Sequence, residues 1–281
     1  MESRLEEIRE QQKASWDKFS PGWKKWDDLM MEFLRPVGDA LIEAIDPSGA
    51  DVVLDIAAGT GEPGLTIATM LDGGKVVITD LSAEMLEVAR GNAERRGIRN
   101  IETVACDVCE LPFEDNSFDA ISCRFGFMFF PDMQLAAQEM FRVLKPGGRF
   151  ATAVWNVPEK NYWVTAIMSA IQRNMELPAP PPGSPGMFRC AGDGVMTELF
   201  ARVGFVDILQ TEVLGTLNAG TVDRYWTMMT DVAAPIVSAL SKANEQLQEK
   251  IRSEVFADVQ QRYPDGNIVI TASSLVLSGV K

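Results

Sequence analysis

The sequence predicts an α/β fold, a mostly parallel sheet with helices on both faces, on three observations. Short β-branched runs alternate with helical stretches between residues 52 and 155, the pattern of strands joined by crossover helices. The first run ends at a glycine-rich turn, Gly59-Thr60-Gly61, and the second ends at an acid, Asp80. Turns at the carboxyl ends of parallel strands are where such sheets bind ligands.

Val52–Ile56 is the first strand. Leu65, Ala68, Thr69 and Leu71 then share a helix that Gly73-Gly74 ends, and residues 76–78 form a second buried strand. Ser82 caps the next helix, where Met85, Leu86, Ala89 and Ala93 recur at helical spacing. Glu84 in its first turn and Arg95 and Arg96 in its last complement the helix dipole, and Gly97 stops it. Ile101–Ala105 and residues 118–123 are the third and fourth strands. An amphipathic helix follows, with Met133, Ala136, Ala137, Met140, Phe141 and Leu144 on one face. Lys145-Pro146-Gly147-Gly148 is expected to terminate it, and residues 150–155 give the fifth strand.

Beyond Trp155 the alternation gives way to helical additions. Residues 162–175 and 193–203 read as helices, separated by a proline-rich extended loop, 177–185, with Pro178, Pro180, Pro181, Pro182 and Pro185. Residues 205–214 read as a sixth strand. Residues 221–231 and a long stretch carrying Leu240, Leu247, Ile251, Val255 and Val259 read as further helices, and residues 268–276 close a seven-stranded sheet. Ahead of the first strand, Trp16, Phe19, Trp23, Trp26, Met30 and Phe33 recur at three- and four-residue intervals, interrupted by Pro21-Gly22. Two short helices burying an aromatic stripe are expected there. The division is therefore an N-terminal helical lid segment, 1–47, and an α/β domain, 48–281, with 158–204 as a cap insertion.

Composition narrows the function classes. No apolar run in the 281 residues approaches the ~20 needed to span a bilayer, and the first residues are charged and polar, so a cytoplasmic chain is expected. The four cysteines, Cys106, Cys109, Cys123 and Cys190, make no disulfide framework in a chain of this size. Cys106 and Cys109 form one C-x-x-C pair without the further clustering of a metal or redox centre, and no metal is expected. Forty acidic against 26 basic residues give a net charge of −14, a field that repels phosphate backbones. Nucleic acid is therefore not the expected partner, and a small molecule is; no pattern fixes the oligomeric state. Histidine is absent, which excludes an imidazole base, metal ligand or triad.

Gly59-Thr60-Gly61-Glu62-Pro63-Gly64 literally matches G-x-G-x-x-G, and Asp80 lies 21 residues after Gly59. Read mechanically, that is a dinucleotide fingerprint and implies an NAD-dependent oxidoreductase. The chemistry opposes it. A pyrophosphate needs backbone N–H groups at the helix N-terminus, Pro63 has none, and Asp55 and Glu62 add negative charge beside the loop. A cationic ligand without phosphate suits those acids better.

The run Val53-Leu54-Asp55-Ile56-Ala57-Ala58-Gly59-Thr60-Gly61 resembles the first motif of class I S-adenosylmethionine-dependent methyltransferases, with Ala57 where many members have a first glycine. Asp80-Leu81 and Asp107-Val108 follow in the family's order. So do the segments Leu111-Pro112-Phe113, Ser117-Phe118-Asp119-Ala120 and Arg142-Val143-Leu144-Lys145-Pro146-Gly147-Gly148. The ubiquinone/menaquinone-biosynthesis C-methyltransferase-like group (methyltransferase type 11) is similar in flavour, loosely echoed by residues 125–132, and the resemblance covers residues 51–154. It implies a Rossmann-like domain, S-adenosyl-L-methionine as cofactor, and a cofactor site of Asp55, Ala57, Gly59, Thr60, Gly61, Asp80, Leu81, Asp107, Val108 and Arg124. Within that set Asp80 takes the ribose hydroxyls, whose vicinal diol suits two carboxylate oxygens. Asp107 accepts from the adenine amine, and Arg124 lies near the methionine moiety. Asp119 reads instead as a strand-end carboxylate. The activity implied is methyl transfer to a small, partly apolar or aromatic acceptor, by proximity and orientation. No catalytic residue is named. A cofactor-binding protein with lost or non-methylating activity is the alternative reading. The acceptor walls expected are the N-terminal aromatic segment, residues 125–130, residues 155–187 and Tyr225-Trp226.

Overall fold

The computed structural model describes residues 2–177, 181 and 183–281. Pro178, Pro180 and Pro182 of the proline-rich loop lie outside the described residues. The chain begins with two helices, α1 (Glu2–Lys25) and α2 (Asp27–Ile45). The α/β alternation follows as β1 (Val52–Ile56), α3 (Gly64–Met70), β2 (Lys75–Asp80), α4 (Ala83–Arg96), β3 (Ile101–Ala105), β4 (Phe118–Arg124), α5 (Met133–Val143) and β5 (Leu144–Trp155). The remainder is α6 (Tyr162–Asn174), α7 (Val195–Val203), β6 (Val206–Gly220), α8 (Val222–Val232), α9 (Ala234–Leu240), α10 (Glu245–Arg262) and β7 (Ile268–Val280).

The seven strands form one sheet in the order β3-β2-β1-β4-β5-β7-β6. β1 to β5 are parallel, and β7 runs antiparallel between β5 and β6. Chain order reverses between β1 and β4, which opens a crevice at their carboxyl ends. The period-2 alternation of the strands splits the core in two. Val53, Val76, Ile78, Ala120, Ala151 and Ala153 pack with Val37, Leu41 and Ile45 of α2 and with Leu65 and Ala68 of α3. Leu54, Ile56, Val77, Ile121, Phe150 and Val154 face the opposite side, with α5, α6, α7 and α8. Alanines at 120, 151 and 153 let α2 lie close against the sheet.

Several expectations are corrected. Pro21-Gly22 does not split the N-terminal stripe; α1 runs through it and the break falls at Trp26. Pro21 removes the amide that would bond the Asp17 carbonyl, and the Ser20 hydroxyl donates to that carbonyl instead, at 3.0 Å. Lys145-Pro146-Gly147-Gly148 does not form a separate terminator but opens β5 as a bulge. Phe118 pairs with Leu144 and Ala120 with Arg149, so the intervening residues loop out of register. A side chain at Gly148 would meet the Asp119 carbonyl at 2.8 Å. β6 and β7 extend past their expected ends because they pair with each other along nearly their whole length. The long C-terminal stretch divides into α9 and α10.

Candidate cofactor and acceptor site

The turn after β1 is built from beneath. Asp55, wholly buried, accepts from the Gly64 amide at 2.8 Å and from the Ser122 hydroxyl at 2.6 Å. Burial pushes its carboxyl up to about 7. Above it the backbone passes through Ala57 (φ 53°), Gly59 (φ 57°) and Gly61 (φ 110°). Any Cβ at Gly64 would meet the Asp55 carboxylate at 2.7 Å.

The helix N-terminal amides a diphosphate would need are already spent, as is that of Gly59. Gly59 N–H donates to Asp80 at 2.9 Å, Gly64 N–H to Asp55, Leu65 N–H to the Gly61 carbonyl at 2.8 Å and Thr66 N–H to Glu62 at 3.1 Å. Pro63 has none to give. The helix behind the G-x-G-x-x-G match therefore offers no free N-terminal amide, which opposes the dinucleotide reading.

At the end of β2, Asp80 accepts from Gly59 N–H and Ser82 N–H, both at 2.9 Å. Each carboxylate oxygen keeps a second lone pair free for a ligand hydroxyl. Burial raises this carboxyl to about 6. Asp107, after β3, caps the following turn by accepting from Cys109 N–H at 2.9 Å. As the first amide of that turn, Val108 N–H has no partner within it. Arg124, at the end of β4, points toward α2: among the described residues its one polar contact is Nη2 to the Met31 Sδ, at 3.3 Å. Burial lowers its pKa, opposed by the fields of Glu62, Asp55 and Asp27.

These groups meet in one chamber of about 370 Å³ at the carboxyl ends of β1 to β4. Ala57, Gly59, Thr60, Asp80, Leu81, Asp107, Val108 and Arg124 line it. Asp55 and Gly61 do not; both act a layer below, Asp55 holding the turn and Gly61 packed against Leu65 and Ala89. The titratable residues among the described lining are Glu62, Asp80, Cys106, Asp107 and Arg124, all clustered around the ends of β1 to β4. Burial pushes the Cys106 thiol up to about 12, so it is an uncharged wall.

The far half of the chamber is apolar and aromatic. Trp16 meets Phe129 edge-on at 5.2 Å, Phe125 stacks on Trp155 at 4.2 Å, and Trp155 packs on Trp163 at 4.8 Å. Trp23, Pro185, Gly186 and Met187 complete this side. Of the expected walls, Phe127 is core, packed on Phe130 and Phe200. Tyr225 is also core, donating to the Trp163 carbonyl at 2.7 Å, and Trp226 packs on Phe256. The α8–α9 junction contributes Val232, Ala233, Ala234 and Pro235 instead. Sequence reading also missed Gln12, Ser15 and Met85 in the lining; nothing local marks the first two, which arrive by the docking of α1.

Residues 53–148 match the family described as a methyltransferase domain. Over this stretch, about a third of the chain, the sequence is that of a methyltransferase domain, in line with the resemblance to the class I S-adenosylmethionine-dependent group. Over 119 residues the chain is 42% identical to a ubiquinone/menaquinone biosynthesis C-methyltransferase UbiE of Cellvibrio japonicus, covering 42% of this chain and 48% of that one. Over 108 residues it is 40% identical to a demethylmenaquinone methyltransferase of Thermus thermophilus, covering 38% and 49%. The chain thus spans about half the length of the curated relatives it matches. The YcgJ protein of Bacillus subtilis superposes with a TM-score of 0.57 at 21% identity, over 87% of this chain and 97% of that one, which shows a common fold. The methyltransferase domain ends before β5 is complete, so the helices and strands that build the aromatic half lie largely outside the family match. Among the described residues, no helix is long and apolar enough to cross a membrane, and no group of three or more potential metal ligands occurs.

Proposed function

We propose that this chain binds S-adenosylmethionine in the crevice at the ends of β1 to β4 and methylates a small, uncharged acceptor with an apolar or aromatic face. The observation that carries this reading is the division of one chamber into an acidic, backbone-lined half and an aromatic half without titratable groups. In this reading Asp80 accepts the ribose hydroxyls, Asp107 the adenine amine, and Val108 N–H donates to the adenine edge. Leu81 and Met85 flank the base, and the turn from Ala57 to Thr60 lets the backbone pass close to the amino-acid moiety. Arg124 takes the carboxylate, its guanidinium being otherwise engaged only by a thioether.

S-adenosylmethionine supplies an electrophilic methyl group on a sulfonium. The protein's contribution is to hold the acceptor in line and keep water away, effects that together supply most of the acceleration such a transfer needs. The indoles of Trp16, Trp155 and Trp163 and the ring of Phe129 are suited to clamp a flat molecule.

The first test is calorimetry: S-adenosylhomocysteine is expected to bind in the micromolar range and NAD not to bind. The second uses radiolabelled methyl donor with pooled small metabolites, followed by mass spectrometry of the product. Demethylmenaquinone, which gives one relative its name, is the first defined acceptor to try. Cofactor binding without label transfer to any neutral aromatic acceptor would favour the non-methylating alternative.

A further inference from the structure

Helix α1 crosses the mouth of the cofactor half and is tied to the two carboxylates expected to hold the nucleoside, to Asp107 directly and to Asp80 through Ser82. Arg9 Nε donates to Asp107 Oδ2 at 2.5 Å, a part-buried contact spanning 98 residues of sequence. Ser82, whose amide donates to Asp80, donates its hydroxyl to Asp17 at 2.6 Å. Between these two ties, Gln12, Ser15 and Trp16 face the chamber.

We infer that α1 is a strap over the adenosine end of the cofactor, and that Arg9 is its latch, positioning Asp107 for the adenine amine. This rests on the cofactor reading above and deepens it. Asp107 uses one oxygen to accept from Cys109 N–H and the other from Arg9. With both oxygens engaged, the carboxylate plane is fixed, yet each oxygen retains a lone pair for a ligand donor. Arg9 also sets positive charge against an acid in a chain of net charge −14. A nucleoside lying between α1 and the strand ends is enclosed on that side while the Arg9–Asp107 and Asp17–Ser82 contacts hold. Its departure through that side requires them to break, so the latch governs the dissociation rate more than the rate of binding. The N-terminal helix thereby serves the cofactor as well as the acceptor.

The experiment measures S-adenosylhomocysteine and 5′-methylthioadenosine on the full chain, by calorimetry for Kd and by stopped-flow tryptophan fluorescence for dissociation. Variants are Arg9→Ala, Arg9→Gln and Arg9→Lys, with Glu10→Ala as an exposed control on the same helix that does not contact Arg9. Arg9→Ala and Arg9→Gln are expected to raise Kd about tenfold, mainly through faster dissociation, and by the same factor for both ligands, because the latch acts at the base they share. Arg9→Lys should recover part of the loss, and Glu10→Ala should resemble wild type. A purely structural role would lower the melting temperature of the ligand-free chain and leave the dissociation rate alone. Wild-type binding with Arg9→Ala constants within twofold would overturn this inference by itself. A wild-type chain that binds neither ligand would overturn the cofactor reading and this inference with it.

Discussion

Ala57 and Phe125, at the ends of β1 and β4, both adopt left-handed backbone, with φ of 53° and 63°. Left-handed backbone costs an L-residue roughly 1–2 kcal/mol relative to glycine. Part of that is recovered because alanine loses less chain entropy than glycine on folding, by about 0.5–1 kcal/mol. Ala57→Gly is therefore expected to stabilise the fold by about 0.5–1 kcal/mol in denaturant melts; a destabilised variant would show that the Ala57 methyl contributes packing that outweighs its backbone cost. Asp80 makes a second prediction at this scale. Burial raises Asp80 to about 6 and Asp55 to about 7, above the range of a free aspartate. Between pH ~4 and 7 the folded chain thus holds more protons than the unfolded one at these two positions, and they make stability fall as pH rises through that window. Ligand binding has the opposite sign, because the ribose hydroxyls donate to the ionised form of Asp80. Affinity for S-adenosylhomocysteine should strengthen from pH 5 to 7.5 and level off above about 6. Asp80→Asn should flatten that slope and cost about 1–3 kcal/mol at pH 7.5. Calorimetry at four pH values checks both statements, and an unchanged slope in the variant would assign the titration to another group.

The elements of the parallel half were legible because each local rule agrees with the fold: short, almost continuously buried runs in β1, β2 and β4, a serine cap on α4, a glycine stop after it. The turn after β1 was legible as a glycine turn at the strand's carboxyl end, but the place of Asp55 was not. A motif gives order along the chain, whereas the turn of this side chain beneath the loop comes from Ser122 on a neighbouring strand. The N-terminal stripe illustrates the same limit. Its spacing announced burial, but Pro21-Gly22 reads locally as a break, and only the Ser20 hydroxyl and the seat on α8 show why the helix continues. That seat is tight. A Cβ on Gly22 would lie 2.2 Å from the Asp231 carbonyl, while Lys25 and Trp26 both donate to the Asp231 carboxylate at 2.7 Å. Gly22→Ala must push α1 off α8, at a cost of about 1–3 kcal/mol. Since Trp16 and Trp23 ride on this helix and face the chamber, the displacement should also raise the acceptor KM. Thermal melts and steady-state kinetics on the variant test the two effects together. Normal kinetics in a destabilised protein would reduce the aromatic stripe to packing.

At the scale of the molecule, charge and polarity are sorted by position. The whole chain carries −14 and no histidine, the acids that face the chamber gather at its cofactor end, and the aromatic half holds no titratable group among the described lining residues. The two carboxyls raised toward neutrality, Asp55 and Asp80, lie at or beneath the cofactor end, and the cysteine and tyrosines that could replace histidine as a base sit elsewhere. Cys123 is wholly buried, and its thiol is pushed up to about 12. Tyr225 is buried with its hydroxyl on the Trp163 carbonyl, and burial raises its pKa well above the ordinary phenol value. Tyr162 donates to Asp258 on α10 and is also raised, by burial and by that carboxylate. A general base acting near neutral pH works best with a pKa near 7, and all three are displaced away from it. The chamber can therefore position an acceptor but has nothing at the aromatic end to deprotonate it. The pH dependence of methyl transfer should then belong to the acceptor. Two acceptors of different acidity, followed in single-turnover experiments from about pH 5.5 to 9.5, should give inflections that move with the acceptor's own pKa. Tyr162→Phe, Tyr225→Phe and Cys123→Ser should each change the rate by less than the ~10²–10⁴-fold that loss of an acid–base group produces. A single inflection common to both acceptors, and abolished by one of these substitutions, would establish a protein base and end the proximity reading.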